Sequence, residues 1–407
     1  MYNGEKMLDL LFYLLITFSL IGWIGYFIII INNHRKMPHL TTKSPGTTLE
    51  NAPSVSIIIP TRNESKRISH CIETLKAQTY PKLETIIIDD SNDNTIDAIK
   101  NIVGNDKRFQ IVKQKKLQPG WVGKPFALQQ GSKIAKGDWL IFIDADTYYH
   151  PVLVERVVEY ALKNKLDMLS LAPQHVCKSF WEKMIQPIFL GAILGLSPLA
   201  KVNDPNSKIS FASGPFIMIN HSIFDSVGGY RTIKGFIADD IEIAKLVKTS
   251  GFKLGIVNAQ SLMSLRMYEK FSDIWEGWSK NSFLGFVQKR EVKSKLMQIL
   301  IFFAVLFLIF DFLILPFATI IGALFTLLVL RSLPSLYFLL LPLATWVISV
   351  VALMYVQKVY HIDRAWYSPL TLAFGGIIAM GIFANSALKT ISGKGVIWKG
   401  RVYAIEQ

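Results

Sequence analysis

Val55-Ser56-Ile57-Ile58-Ile59-Pro60-Thr61-Arg62-Asn63-Glu64 is a β-branched run that ends on proline and then on charged and turn-forming residues. A short apolar run bounded by Pro53 and Pro60 reads as a buried strand. A helix-like segment follows at about Ser65 to Ala77. A second β-branched strand, Glu84 to Ile88, then closes on Asp89-Asp90-Ser91-Asn92-Asp93. Strand, helix, strand at this spacing is a βαβ unit. The pattern continues through a helix at Thr95 to Gly104, a strand at Phe109 to Lys113, a helix at Lys124 to Lys136 and a strand at Trp139 to Ile143. Such alternation predicts an α/β domain built on a parallel, doubly wound sheet, whose ligands bind beyond the carboxyl ends of its strands. Asp89, Asp90, Asp144 and Asp146 all fall at that edge.

Outward from this domain the chain turns apolar at both ends. Its 407 residues are 51% hydrophobic with a mean hydropathy of +0.34, high for a wholly soluble protein. Crossing ~30 Å of hydrocarbon takes roughly 20 apolar residues. Leu8 to Ile31 meets that length and is followed by Asn32-Asn33-His34-Arg35-Lys36, so it reads as an anchor whose basic flank is cytoplasmic. From Leu296 to Leu388 apolar runs return, broken by Asp311, by Arg331 to Pro334 and by Gln357 to Ser368. About four further spans are expected, with re-entrant hairpins around Asp311 as the alternative. An even count returns Lys389, Lys394, Lys399 and Arg401 to the cytoplasmic side, near anionic headgroups.

The domain layout expected is therefore an anchor at 1–36, a linker at 37–53, an α/β domain with interfacial helices at 54–290, transmembrane helices at 291–390 and a cytoplasmic tail at 391–407. The formal charge of +14 is spread along the chain. Anionic lipid and a diphosphate account for it, and no nucleic-acid partner is expected. Cys71 and Cys177 show neither a disulfide framework nor zinc spacing, and the seven histidines show no ligand spacing.

Four motifs carry chemistry. Asp144-Ala145-Asp146 follows an apolar strand and sets two carboxylates beside a crevice, a donor set that suits Mg²⁺ or Mn²⁺ shared with substrate phosphates. Asp89-Asp90-Ser91-Asn92-Asp93 is suited to hold a base or ribose, and equally to form a turn or helix cap. Pro119-Gly120-Trp121-Val122-Gly123-Lys124-Pro125 is a glycine-bearing loop before a helix, able to offer Lys124 and backbone N–H groups to an anion; Lys124 also fits a solvated helix start. Ala238-Asp239-Asp240-Ile241-Glu242 reads as a helix N-terminus, where acids are favoured by the dipole, or as the source of a general base. Met184 to Leu199 and Ile274 to Phe286 are too short to span and read as interfacial helices. Trp275 and Trp278 share one helical face there, either at headgroup depth or packed inward.

Taken in order, Ile57 to Glu64, Asp89-Asp90-Ser91, Asp144-Ala145-Asp146, Ser213-Gly214-Pro215 and Asp239-Asp240 resemble the family 2 glycosyltransferases of GT-A fold, over roughly Val55 to Asn281. Gly120 to Lys124, Arg266-Met267-Tyr268, Trp275 to Asn281 and Trp398 to Arg401 are similar to the bacterial carotenoid (diaponeurosporenoate) and hopanoid-associated branches. The resemblance implies inverting transfer from a UDP- or GDP-linked sugar to a lipid-like acceptor at the cytoplasmic face. It implies Asp240 as base, and Asp144 and Asp146 at the metal and diphosphate. Pro60, Arg62, Glu64, Asp89, Asp90 and Lys124 would lie at the nucleotide-sugar, and Gly214, Asp239, Arg266, Trp275, Trp278 and Lys280 towards the acceptor. The QxxRW motif of processive synthases is missing between Arg266 and Lys280, which weakens a polysaccharide-synthase reading. A catalytically silent nucleotide-binding scaffold is the rival from another class, against which the intact carboxylates argue.

Overall fold

The computed structural model describes residues 2–43, 52–289, 292, 294–329, 336–362, 365, 367, 370–393, 396–398 and 401–403. The chain divides into two compact units, one of Arg35–Val176 and Pro198–Met267, the other of Met1–His34, Cys177–Ser197 and Tyr268–Gln407. Helix α1 (Tyr2–Lys36) starts in the second. The first unit then alternates through β1 (Val55–Thr61), α2 (Ile68–Lys76), β2 (Leu83–Asp89), α3 (Thr95–Val103), β3 (Phe109–Lys113), α4 (Gly123–Ser132) and β4 (Trp139–Ile143). It continues with β5 (Thr147–Tyr149), α5 (Leu153–Asn164), β6 (Met168–Ala172) and β7 (Gln174–His175). After α6 (Phe180–Leu196), which belongs to the other unit, come β8 (Phe216–Asn220), α7 (His221–Ser226), α8 (Asp239–Thr249), β9 (Leu254–Asn258) and β10 (Met263–Leu265).

The main sheet has the order β3-β2-β1-β4-β8-β6-β9. Its central strands are buried on both faces, which is why they read as continuous Ile-rich runs without alternation. Ile57, Ile59, Ile87, Ile141 and Ile143 form the centre of the core. The expectation of an all-parallel sheet needs correction at β8, which runs against both β4 and β6. Phe216, its first residue, pairs with Ile143, the last of β4. A strand that enters at the carboxyl edge without a crossover can only run back, and this delivers Ser213-Gly214-Pro215 to the ligand edge.

Gly137, just before β4, has no room for a side chain. A Cβ there would lie 2.5 Å from the Ser56 nitrogen and 2.8 Å from the Val55 carbonyl carbon, both backbone atoms. Gly137→Ala is expected to destabilise the protein by about 1–3 kcal/mol, the usual cost of overpacking, seen as a lower thermal midpoint in detergent. An unchanged midpoint would show that β1 and β4 can separate freely at this point.

The second unit is helical. To α1 and α6 it adds α9 (Phe271–Lys289), α10 (Lys295–Ile309), a π-helical turn at Phe310–Ile314, α11 (Leu315–Leu328), α12 (Leu336–Val359) and α13 (Leu372–Ile391), with a terminal hairpin of β11 (Val396–Trp398) and β12 (Arg401–Tyr403). Among the described residues four helices are long and apolar enough to cross a membrane: Asp9–Lys36, Lys295–Leu328, Tyr337–Val359 and Leu372–Ile391. Three of these follow residue 290, fewer than the four expected, because Asp311 does not end its helix. Pro316 has no N–H to offer the carbonyls of the preceding turn. Ser19 Oγ donates to the Asp311 carbonyl at 3.1 Å and Trp23 Nε1 to the Phe312 carbonyl at 2.9 Å, so α1 supplies the missing donors and the helix runs on.

The register inside this unit also fixes directions. Phe12 stacks on Phe338 and Phe27 meets Tyr355, so α1 and α12 run the same way. Gly376 faces Leu313 while Phe383 stacks on Phe302, so α13 runs back along α10 from the π turn towards Lys295. Lys389 therefore lies at the Lys295 end of this unit. Arg331 to Pro334, Lys394 and Lys399 lie outside the described residues.

Candidate active site

The strand ends of the first unit converge as the sequence pattern requires. β1 and β2 end side by side, pairing Thr61 with Asp89. The Asp89 carboxylate is buried and accepts from Thr61 Oγ1 at 2.7 Å, Ser91 N at 3.1 Å and Ser91 Oγ at 2.6 Å. Asp89 thus fixes the loop through its own neighbours. Asp90, partly exposed, forms an ion pair with Arg62, whose guanidinium also donates to the Asp90 carbonyl at 3.2 Å. Asn63 holds a left-handed φ of 53° and ties the two loops, its N–H donating to Ser91 Oγ and its Oδ1 accepting from Asn92 N. The Glu64 carbonyl accepts from Arg67 N and Ile68 N at the start of α2. Pro60 sits in β1 opposite Ile88. The two loops form one laced rim with Asp90 and Arg62 on its accessible side.

At the end of β4, Thr147 Oγ1 donates to the Asp144 carbonyl at 2.6 Å and bonds to the Tyr149 hydroxyl, and Cys71 packs behind them. Burial pushes the Cys71 thiol up to about 12, with the Thr147 hydrogen bond opposing it, so this cysteine is a chemically inert packing group. The turn that carries Asp144 and Asp146 is therefore pinned from below.

Lys124 stands at the start of α4, whose preceding loop is held by Val122 N donating to the Lys234 carbonyl at 2.8 Å. Its Nζ lies 2.7 Å from Asp144 Oδ1 and 4.0 Å from Asp239 Oδ2. Burial acts to lower the ammonium pKa, but Asp144, Asp239 and Asp240 together raise it, so Lys124 stays charged. Asp240 opens α8 with Asp239. Its Oδ2 accepts from Gly214 N at 2.9 Å and its Oδ1 from Ile241 N at 2.9 Å. Burial raises the Asp240 carboxyl above its ordinary range, against the pull of Lys124 and those two N–H groups. A Cβ on Gly214 would meet Asp240 Oδ2 at 3.0 Å and Lys124 Nζ at 3.3 Å, so glycine is what lets the Asp240 carboxylate and the ammonium approach.

Beneath this cluster lies Tyr230, fully buried, its ring against Phe142 and Phe224. Its hydroxyl has no hydrogen-bond partner among the described residues, and burial followed by the charges of Asp239, Asp240 and Asp144 pushes its pKa well up. Neither Tyr230 nor the Thr147 clamp stood out in the sequence, since a Gly-Gly-Tyr turn and a strand threonine are everyday features. Gly214 brings its N–H to Asp240 only because β8 enters where it does.

The remaining residues are dispersed. Arg266 follows β10 in the first unit, whereas Trp275, Trp278 and Lys280 lie on α9 in the second. Trp278 is packed inward, stacked on Phe189 and donating through Nε1 to Gln186 Oε1 at 3.0 Å. Trp275 faces Gly381 of α13.

Residues 56–228 match the family model described as Glycosyl transferase family 2. Over 257 residues the chain is 27% identical to the 4,4'-diaponeurosporenoate glycosyltransferase of Staphylococcus haemolyticus (strain JCSC1435), an alignment covering 62% of this chain and 66% of that one. Over 238 residues it is 25% identical to the protein of the same name from Staphylococcus aureus (strain USA300), covering 58% and 62%. The alignments thus span just under two thirds of these relatives' length. Among solved structures it is similar to a mannosyltransferase from Pyrobaculum calidifontis in complex with GDP-Man and Mn²⁺, at 16% identity and a TM-score of 0.49, over 93% of this chain and 98% of that one. The match to Glycosyl transferase family 2 thus falls on the stretch that holds most of the mixed α/β sheet and the carboxylates of Asp89, Asp90, Asp144 and Asp146.

Proposed function

We propose that this protein is an inverting, membrane-embedded glycosyltransferase that moves a sugar from a UDP- or GDP-linked donor to a lipid-like acceptor such as a carotenoid or hopanoid. The observation that carries the reading is the gathering of Asp144, Asp239 and Asp240 around the single ammonium of Lys124. That cluster combines an anion-binding cation, a carboxylate turn and a half-buried base side by side, which is what a diphosphate leaving group and an attacking acceptor require.

Asp144 and Asp146 are the residues that would hold Mg²⁺ or Mn²⁺. No group of three or more His, Cys, Asp or Glu side chains gathers as a closed metal site among the described residues. Two carboxylates on one turn fit a cation that takes its other ligands from phosphate and water. Such an ion, when bound, supplies charge neutralisation for the departing diphosphate. Lys124 and the α4 N-terminus bind the same anion from the protein side. Asp240, held by Gly214 N and Ile241 N, accepts the acceptor proton as the hydroxyl attacks the anomeric carbon. Arg62, Asp90 and Glu64 line the rim assigned to the nucleotide, with Pro60 and Asp89 shaping it. Arg266, Trp275 and Lys280 are assigned to the acceptor, and Trp278, stacked on Phe189, to packing within the helical unit.

The test is mass spectrometry of lipids from cells with and without the gene, followed by UDP- and GDP-sugars with the purified protein. A glycolipid that disappears with the gene supports the assignment. Identical lipid profiles and no donor turnover would overturn it.

The basic residues that flank α1 and α13 support a cytoplasmic side for both Lys36 and Lys389. Single cysteines at Lys36 and Lys389 are expected to resist a membrane-impermeant thiol reagent in intact cells and to react in inverted vesicles. Cys71 and Cys177 are buried and give little background. Labelling of either site in intact cells would refute this orientation.

A further inference from the structure

We propose that Lys124 is an internal counter-ion that keeps Asp144 closed to a divalent cation until a donor diphosphate draws the ammonium away. The inference rests on the function just proposed and adds to it an order of binding. Lys124 Nζ is 2.7 Å from Asp144 Oδ1 and 4.0 Å from Asp239 Oδ2, and a Cβ on Gly214 would meet both it and Asp240 Oδ2 within 3.3 Å. A dication against Asp144 would sit within a few ångströms of that ammonium, and at such distances like charges repel strongly in a partly buried site. Asp144 and Asp146 alone give too few ligands to overcome this, since no third metal-ligating side chain gathers with them among the described residues.

A diphosphate changes both conditions. It offers the ammonium an anion of higher charge than one carboxylate, and it supplies the missing oxygen ligands. The side chains of Lys124 and Asp144 are 31% and 29% exposed, so the pair can be reached and parted without unfolding its surroundings. Gly214 makes the slot narrow, because a Cβ there would already touch both Lys124 Nζ and Asp240 Oδ2. Ammonium and dication thus compete for Asp144. The consequence is that metal alone binds poorly and that free donor is not hydrolysed by a resident metal centre.

The experiment titrates Mn²⁺ alone into the purified full-length protein, reading bound ion from the loss of the free Mn²⁺ paramagnetic resonance signal. Wild type is expected to bind weakly. Lys124→Met, which frees Asp144 and keeps the bulk, should bind Mn²⁺ at least about tenfold tighter. Lys124→Arg keeps the charge and should stay weak. Adding Asp144→Asn to Lys124→Met should abolish the gain, locating it at this turn. With UDP or GDP present, and after correction for Mn²⁺ held by the nucleotide itself, wild type should gain affinity and Lys124→Met little. Wild type binding Mn²⁺ alone as tightly as Lys124→Met would overturn the counter-ion role while leaving the metal-dependent transferase intact. Failure of every variant to bind Mn²⁺, with or without nucleotide, would overturn both.

Discussion

Exchanging Asp240 for asparagine is expected to cut kcat by about 10²–10⁴-fold on an acceptor that attacks through a hydroxyl, with nucleotide affinity retained. An alcohol is a poor nucleophile until its proton is taken, and Asp240 is the half-buried carboxylate at the start of α8 that can take it. Burial raises its pKa, which makes the carboxylate a stronger proton acceptor than one in water. Asparagine keeps the shape and one of the two acceptor positions used by Gly214 N and Ile241 N, but cannot accept a proton. A carboxylic acceptor, with a pKa of about 4–5 like other carboxyls, is already ionised near neutrality, and for it the same variant should turn over at close to the wild-type rate. Near-wild-type kcat on a hydroxyl acceptor would remove Asp240 from the role of base. Loss of nucleotide binding in the variant would instead point to a structural role.

Asp144→Ala is expected to lower turnover by roughly 10²–10³-fold or more, because charge stabilisation at the leaving group is commonly among the largest catalytic contributions. The variant removes a ligand of the proposed metal and the nearest partner of Lys124 together. EDTA should abolish activity in the wild type, and Mg²⁺ or Mn²⁺ should restore it. Asp144→Asn, which removes the charge and keeps an oxygen, separates charge from bulk and should be nearly as inactive. Full activity of Asp144→Ala in the presence of chelator would refute the assignment of this turn to the diphosphate.

Much of the site was legible because its residues are punctuation between regular elements. Asp89, Asp144 and Asp240 each follow or open an element that the pattern of apolar residues already delimits, and the doubly wound topology carries the strand-end carboxylates to one edge. Different chemistry was hidden inside apparently similar motifs. Asp89 and Asp90 are neighbours in sequence, yet Asp89 turns inward to Thr61 and Ser91 while Asp90 turns outward to Arg62. The period of two along a strand end separates them, and no local composition reports which one faces the core. Trp275 and Trp278 likewise share a helical face in sequence but meet different neighbours, Gly381 and Phe189.

The membrane-length helices show the same division. Apolar length alone located α1, α10, α12 and α13, because a hydrocarbon span is a one-dimensional property of the chain. Whether Asp311 and Pro316 end a helix was not such a property. It depended on Ser19 and Trp23, nearly 300 residues away in sequence, offering donors to two carbonyls that the proline leaves without one. In the catalytic unit, the sequence by itself determined the strand–helix alternation, the core of β-branched strands and the edge at which acidic residues collect. Those follow from burial and backbone periodicity within each segment. Only the tertiary structure decided that β8 runs backward, that Gly214 thereby reaches Asp240, and that Lys124 stands between Asp144 and the α8 carboxylates. These depend on the meeting of segments up to 116 residues apart in sequence, from Lys124 to Asp240, and no short stretch of chain encodes such a meeting.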